Sequence, residues 1–244
     1  MTNTNEVSVF ILCGGKGSRL QSMTQAMPKA LVPVNGQPIL KIILEQFREQ
    51  GFKRYILGTG YLSERIEGYL AANFNEMNYS VCNGGVETSM LQRIMLAAGR
   101  FGSDEDVVLV AYGDTFIDLN FHHLIDYHRK GGREMTIVTG KIKNPFGIVS
   151  MDEHGGVKSF TEKPVFDYYI GCLVFTRKVL NRVTPGLAEE ADGMGLVKLF
   201  QQLIEAKQLH AYQHTGLQVT FNTEPELMEA DKVMRGYRTI RETI

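Results

Sequence analysis

The first residues able to do chemistry form the run Cys13-Gly14-Gly15-Lys16-Gly17-Ser18-Arg19, with Lys29 ten positions beyond Arg19. Three glycines in four positions let the backbone come close to a ligand and turn its N–H groups toward it. Such a loop holds phosphates, and Arg19 and Lys29 add the charge that amides lack. Two commoner phosphate loops do not fit. A Walker loop needs G-x-x-x-x-G-K-[ST], and here Gly17 is followed by Ser18 and Arg19. A dinucleotide fingerprint needs G-x-G-x-x-G, and Leu20 stands where its last glycine belongs. The plain alternative is a turn with two solvated cations.

A second candidate is acidic. The apolar run Val107 to Tyr112 leads into Gly113-Asp114-Thr115. A carboxylate at the end of a buried strand is poorly placed for packing and well placed for a metal ion. A turn or cap aspartate is the competing reading. Glu162-Lys163 before Pro164 reads, on its own, as a surface pair. His122, His123 and His128 fall in one helix. Adjacent His122 and His123 cannot face one site, so this segment reads as a solvated helix face rather than a zinc site.

The elements that must position these groups follow from periodicity. Val7 to Leu12 reads as a buried strand. Ile39, Ile42, Ile43 and Phe47 mark a helix that Gly51 ends. Tyr55-Ile56-Leu57 is a strand, Leu62 to Phe74 a helix with Ser63 as its cap, and Tyr79 to Cys82 a strand. Met90 to Phe101 is a helix before the strand at 107–112. Short β–α–β crossovers make a parallel sheet, with ligands beyond the carboxyl ends of its strands. Phe121 to Arg129 is a helix and Met135 to Gly140 a strand. A hairpin turns at Gly155-Gly156, and a strand follows at Tyr168 to Phe175. Leu196 to Ala206 is helical, 210–212 and 218–221 are short strands, and a closing helix runs from Glu224 to the C-terminus.

With these pieces in place the chain resembles the sugar-1-phosphate nucleotidylyltransferases. The resemblance rests on G-G-x-G-S-R-L followed by P-K-A-L-V-P-V-N-G-Q-P-I-L, with Lys29 and Pro33 where that family has them. It continues through Gly113-Asp114, Gly147 in F-G-I-V, Glu162 and Lys163 in F-T-E-K-P, and Gly171. The fold it implies is a single α/β domain over 1–244, a Rossmann-like, mostly parallel sheet with helices on both faces. A small β-rich insertion binds the sugar. Residues 7–120 form the nucleotide half and 121–244 the sugar-phosphate half. The resemblance implies nucleotide binding by Leu12, Gly14, Gly15, Gly17, Ser18, Thr88 and Gly113. It implies sugar binding by Gly147, Glu162, Lys163 and Gly171, with Arg19, Lys29 and Lys163 catalytic. Asp114 would hold Mg²⁺. Asn222 stands where many relatives have a second aspartate; its carbonyl is still an oxygen donor, so it is the second ligand expected. Aspartate at 222 is then expected to keep or strengthen metal binding.

The implied reaction is attack of a sugar 1-phosphate on the α-phosphorus of a nucleoside triphosphate, with pyrophosphate leaving. It needs positioning and charge, not a general base. The run from Tyr112 to Pro164 is most similar to the glucose-1-phosphate cytidylyltransferases, which favours CTP. Their base loop reads T-M-T-G-G-R, whereas Thr88-Ser89-Met90-Leu91-Gln92-Arg93 replaces both glycines, so side chains at Leu91 and Gln92 are expected to narrow the pocket or to move the loop. Tyr169 replaces an asparagine common in the family. A GTP-dependent mannose- or heptose-1-phosphate guanylyltransferase is the alternative, and a regulatory paralogue the non-enzyme one. Arg19, Lys29 and Asp114 speak against the latter. A D-x-D glycosyltransferase is disfavoured because Gly113-Asp114-Thr115-Phe116-Ile117-Asp118 has no such triplet.

Composition agrees. The chain has 244 residues, 43% hydrophobic and 22% charged, with net charge −1. No global field points to nucleic acid or membrane. Cys13, Cys82 and Cys172 lie in or beside apolar runs and read as reduced core thiols. Met1 to Glu6 reads as a polar tail, and no long apolar span follows. A cytoplasmic enzyme is expected, without an appended β-helix domain, and a homo-oligomer is compatible with it.

Overall fold

The computed structural model describes residues 4–103, 106–191 and 193–243. Residues 1–3 and Ile244, included above in the polar tail and closing helix, lie outside the described residues. Thr4–Glu6 form a 3-10 turn rather than a free tail. Glu6 pairs with Arg129 at 3.2 Å.

One seven-stranded sheet runs through both halves. In chain order its strands are β1 (Val7–Leu12), β2 (Tyr55–Thr59), β3 (Tyr79–Asn83), β4 (Val107–Tyr112), β6 (Met135–Lys143), β9 (Val165–Thr176) and β10 (Leu209–Gln213). Outside it lie β5 (Thr115–Ile117), the hairpin β7 (Ile148–Met151) and β8 (Val157–Thr161), and β11 (Gln218–Thr220). The order across the sheet is β10-β6-β9-β4-β1-β2-β3. All its pairings are parallel except those of β9, which runs antiparallel to both β4 and β6. The register of β9 on β6 shifts between Tyr169 and Leu173, at Gly171.

Alternation decides the layers, because successive side chains of a strand point to opposite faces. Val7, Val9 and Ile11 of β1 pack on one face against α1 (Ile39–Glu49), α2 (Ser63–Asn73), α4 (Phe121–Gly131) and α6 (Glu224–Thr243). Phe10 points to the other, against α3 (Met90–Ala97) and α5 (Met194–Glu205). Both faces are therefore dry, as a parallel sheet requires. The ends of β6 and β9 and the β7–β8 hairpin project from this body. Phe146, Met151, Val157 and Phe160 there are exposed. No helix among the described residues is long and apolar enough to cross a membrane.

Three further details differ from the sequence reading. Ser63 is the first residue of α2, not its cap. Leu62 precedes it with φ 49°, and the Ser63 hydroxyl donates to Glu67 at 2.7 Å. His128 is not on a solvated face. It lies one turn beyond Leu124, on the inward side of α4, 2% exposed between the Thr136 and Thr176 hydroxyls. His122 stacks on Phe52 and meets the Gln50 carbonyl at 2.7 Å, so only His123 faces water freely. Among the described residues no three His, Cys, Asp or Glu side chains form a metal cluster.

Candidate active site

A cleft of about 580 Å³ opens at the carboxyl ends of β1 and β4, a usual size for a small-molecule site. The loop from Leu12 to Arg19 forms one wall, the segment around Val86 to Met90 the opposite one. Lys29, Tyr112 to Thr115 and Asn222 line the end between them.

The glycine loop is held from below. Cys13 donates its N–H to the Gly58 carbonyl at 2.8 Å, continuing the sheet one residue past β1. Gly17 has φ +61°, in the region that favours glycine. Its carbonyl receives the Leu20 N–H at 2.9 Å and lies 3.0 Å from the Thr24 hydroxyl. Gly14 is fixed for another reason. A Cβ there would fall 2.2 Å from Arg93 Cζ, and one at Gly60 would fall 2.5 Å from the same guanidinium. Arg93 reaches from α3 under the loop, 4% exposed. It donates to the carbonyls of Thr59, Gly14 and Gly85, the last two at 3.3 and 2.8 Å. One buried cation thus ties together the loops after β1, β2 and β3. Gly15 has open space at its Cβ position and faces the cleft.

Beyond the loop, three elements deliver a charged cluster. Lys29 stands on the 3-10 turn Lys29–Leu31, set by Pro28 before it. Its Nζ lies 2.5 Å from Asp114 Oδ2 and 3.2 Å from Asn222 Oδ1, and 5.4 Å from the centre of the Phe221 ring. Asp114 leaves the end of β4, and Asn222 follows β11 at the start of α6. Lys29 and Asp114 are 12% and 28% exposed, so their attraction is less screened than at an open surface. The Cys13 thiol beneath is pushed well up by burial and by the Asp114 carboxylate, against a smaller pull from Arg93. It is an inert core thiol rather than a nucleophile.

At the mouth, Lys16 and Glu87 meet at 2.7 Å across the cleft. The hydrogen bond and charge of Lys16 hold the Glu87 carboxyl below its ordinary range. Arg19 and Ser18 are exposed on the rim. The Thr88 hydroxyl donates back to the Gly84 carbonyl within its own loop. Leu91 and Gln92 do not narrow the cleft. Leu91 is buried in the core against Gly195. Gln92 closes a capping box with Ser89, its Oε1 2.9 Å from the Ser89 N–H.

Of the residues picked from sequence, Leu12, Gly14, Gly15, Gly17, Ser18, Arg19, Lys29, Thr88, Gly113, Asp114 and Asn222 all line this cleft. Gly147, Glu162 and Lys163 do not. They cluster on the projecting hairpin, where Lys163 Nζ lies 3.6 Å from Glu162 Oε1 and the Phe160 ring leaves no room for a Cβ at Gly147. Gly171 lies behind the Tyr112 ring, which itself lines the cleft. Sequence reading passed over Arg93, Lys16, Glu87 and Glu226. Glu226 had a local signal, Thr223-x-x-Glu226 before an apolar stripe. Arg93 had little, since basic residues on helices are ordinarily solvated.

Known proteins agree with this architecture. A protein of Bacillus subtilis named Probable glucose-1-phosphate cytidylyltransferase is 28% identical, covering 93% of this chain and 96% of its own length. The mannose-1-phosphate guanylyltransferase catalytic subunit beta of Drosophila pseudoobscura is 30% identical over 87% of this chain, which spans 58% of that longer protein. Among solved structures, HddC from Yersinia pseudotuberculosis superposes with a TM-score of 0.70, covering 93% of this chain and 99% of its own, at 19% identity, a likeness of fold. The profile of the nucleotidyl transferase family matches residues 8–217, so the strands, the glycine loop and the Lys29–Asp114 pair are those of a chain that belongs to the nucleotidyl transferase family.

Proposed function

We propose that this nucleotidyl transferase moves a nucleoside monophosphate from CTP to a sugar 1-phosphate, releasing pyrophosphate and forming a nucleotide sugar. The observation that carries the reading is the convergence of Lys29, Asp114 and Asn222 at one end of a glycine-walled cleft. In the reaction an oxygen of the sugar phosphate bonds to the α-phosphorus. The bond from that phosphorus to the bridging oxygen breaks, and the electron pair leaves on pyrophosphate. The nucleophile is already an anion, so the protein's work is to align two polyanions and to stabilise charge on the leaving group. The backbone amides near Gly15 and the cations Lys29 and Arg19 serve that end, with Arg93 as a fixed charge behind the loop.

Mg²⁺ belongs to the proposal. Two oxygens, Asp114 Oδ2 and Asn222 Oδ1, already share one cation, the Lys29 ammonium. That donor set suits a hard divalent ion whose other ligands are phosphate oxygens and water. When bound, the ion would neutralise phosphate charge and orient the reacting groups. Glu162 and Lys163, on the hairpin, are assigned to the sugar and its phosphate. The cysteines are free and buried, as befits a reducing compartment, and we place the enzyme in the cytoplasm.

CTP is preferred over GTP because the cytidylyltransferase relative matches nearly end to end. The 30% identity to a guanylyltransferase keeps GTP as the second reading. A matrix of CTP, GTP, UTP and dTTP against glucose, mannose and heptose 1-phosphates, read by pyrophosphate release, tests both. We expect turnover with CTP and glucose 1-phosphate. Preference for GTP would replace the base, and no release from any pair would remove the reading.

A further inference from the structure

Asn222 sits between two charged groups. Its Oδ1 lies 3.2 Å from Lys29 Nζ. Its Nδ2 lies 3.4 Å from Glu226 Oε2, and its backbone N–H donates to the same oxygen at 2.7 Å. A side-chain amide has one accepting end and one donating end. Here the accepting end faces an ammonium and the donating end a carboxylate. Turned over, it would set NH₂ against Lys29 and a carbonyl against Glu226, exchanging two attractions for two repulsions.

We propose that Glu226 is a positioning residue for the metal site: it fixes the Asn222 amide with its carbonyl toward Asp114 and Lys29, and it makes asparagine rather than aspartate the residue that fits position 222. The proposal rests on the reading of Asp114 and Asn222 as metal ligands. It reverses the expectation that aspartate at 222 would strengthen binding. An aspartate would set a carboxylate oxygen where Nδ2 now lies, 3.4 Å from Glu226 Oε2, with no hydrogen between them. Like charges that close oppose each other's ionised form.

Glu226 also has a local task. Its N–H lies 3.4 Å from Thr223 Oγ1, and its carboxylate takes the Asn222 N–H, so it helps cap α6. The test must separate capping from orientation. Mn²⁺ binding to the protein with CTP and no sugar phosphate can be followed by water-proton relaxation enhancement, with GTP in place of CTP if the turnover matrix selects it. Thermal midpoints are recorded alongside. Glu226→Gln keeps an accepting oxygen and should bind Mn²⁺ within about twofold of the wild type. Glu226→Ala frees the amide and should weaken Mn²⁺ about tenfold, the scale of one lost charged hydrogen bond. Asn222→Asp should bind about tenfold more tightly when Glu226→Gln is added than alone. A Glu226→Ala protein with a lowered midpoint but wild-type Mn²⁺ affinity would leave capping only and overturn the proposal. Equal affinities for Asn222→Asp with and without Glu226→Gln would do the same. Asp114→Ala serves as the reference. If it binds Mn²⁺ normally, the metal reading falls and this one with it; if it weakens binding while Glu226→Ala does not, only the role of Glu226 falls.

Discussion

Lys29 bridges Asp114 and Asn222, so its ammonium does two things: it holds the cluster together and offers charge to phosphate. Lys29→Ala is expected to lower kcat by about 10²–10³, the scale seen when one preorganised donor is removed. Its fold should be kept, since the side chain ends at the cleft and not in the core. Circular dichroism and steady-state rates check both halves of that statement. Asp114→Ala should abolish turnover at any Mg²⁺ concentration. Full activity in that variant, or in a chelator, would remove the metal assignment. Lys29 was legible in sequence as a cation near the glycine loop that stands where the resembling family has one, and Asp114 as a carboxylate at the end of an apolar run. Arg93 was not, because nothing local says that a helical arginine turns inward onto three carbonyls. Arg93→Met leaves those carbonyls without their donor and should cost about 2–4 kcal/mol in urea unfolding. It should also raise KM for the nucleotide, since the loops after β1 and β3 lose their common tie.

Elements carry the site by their ends. The carboxyl ends of β1 and β4 set the glycine loop and Asp114 side by side, paired from Val7↔Val107 to Leu12↔Tyr112. The continuous apolar runs that reveal these strands also foretold that they are buried, and the short β–α–β crossovers that they are parallel. They could not foretell that β9 returns antiparallel between β4 and β6, because pairing across long separations leaves no local mark. Nor could they show that Leu91 and Gln92 serve helix α3 rather than the cleft. The second substitution makes sense as a cap: Ser89 receives the Gln92 N–H at 3.2 Å, and its own hydroxyl donates to Ala188 at 3.0 Å. Ser89→Ala should lower stability by about 1 kcal/mol, read from denaturant midpoints. On the hairpin, Lys163→Ala should raise KM for the sugar phosphate while leaving KM for the nucleotide unchanged. Unchanged kinetics toward the sugar phosphate would separate the hairpin from the reaction.

The body of the molecule is one sheet between two apolar layers, and its response to acid depends on what those layers enclose. His128 lies inside, between two threonine hydroxyls. Burial first, then the charges of Arg129 and His210, lowers its pKa from 6.5 to about 4. The unfolded chain therefore binds a proton that the folded one refuses between those values. Stability from this residue is fully present above pH 6.5 and lost as pH falls toward 4, by up to about 3 kcal/mol. Unfolding midpoints from pH 7.5 to 4.5 should show this slope, and His128→Gln should flatten it. An unchanged slope in that variant would assign the acid response to other groups. Sequence placed the residue on the correct helix but on the wrong face, because a histidine satisfied by threonines from two strands looks, in one dimension, like any polar helix residue.

The guanidinium of Arg93 fills the space that side chains at Gly14 and Gly60 would need. Gly14 and Arg93 therefore cannot change independently over evolutionary time, and Gly60 is held besides by the Gly85 carbonyl oxygen. Any single replacement of either glycine meets the arginine, while shortening the arginine first opens a hole and strands three carbonyls. A lineage could leave this arrangement only through a poorly folded intermediate or by concerted change. Random mutagenesis should show the same lock: alanine at Gly14 would be recovered chiefly in clones that have already lost Arg93, whereas alanine at Gly60 would still meet the Gly85 carbonyl oxygen and should not be recovered even there.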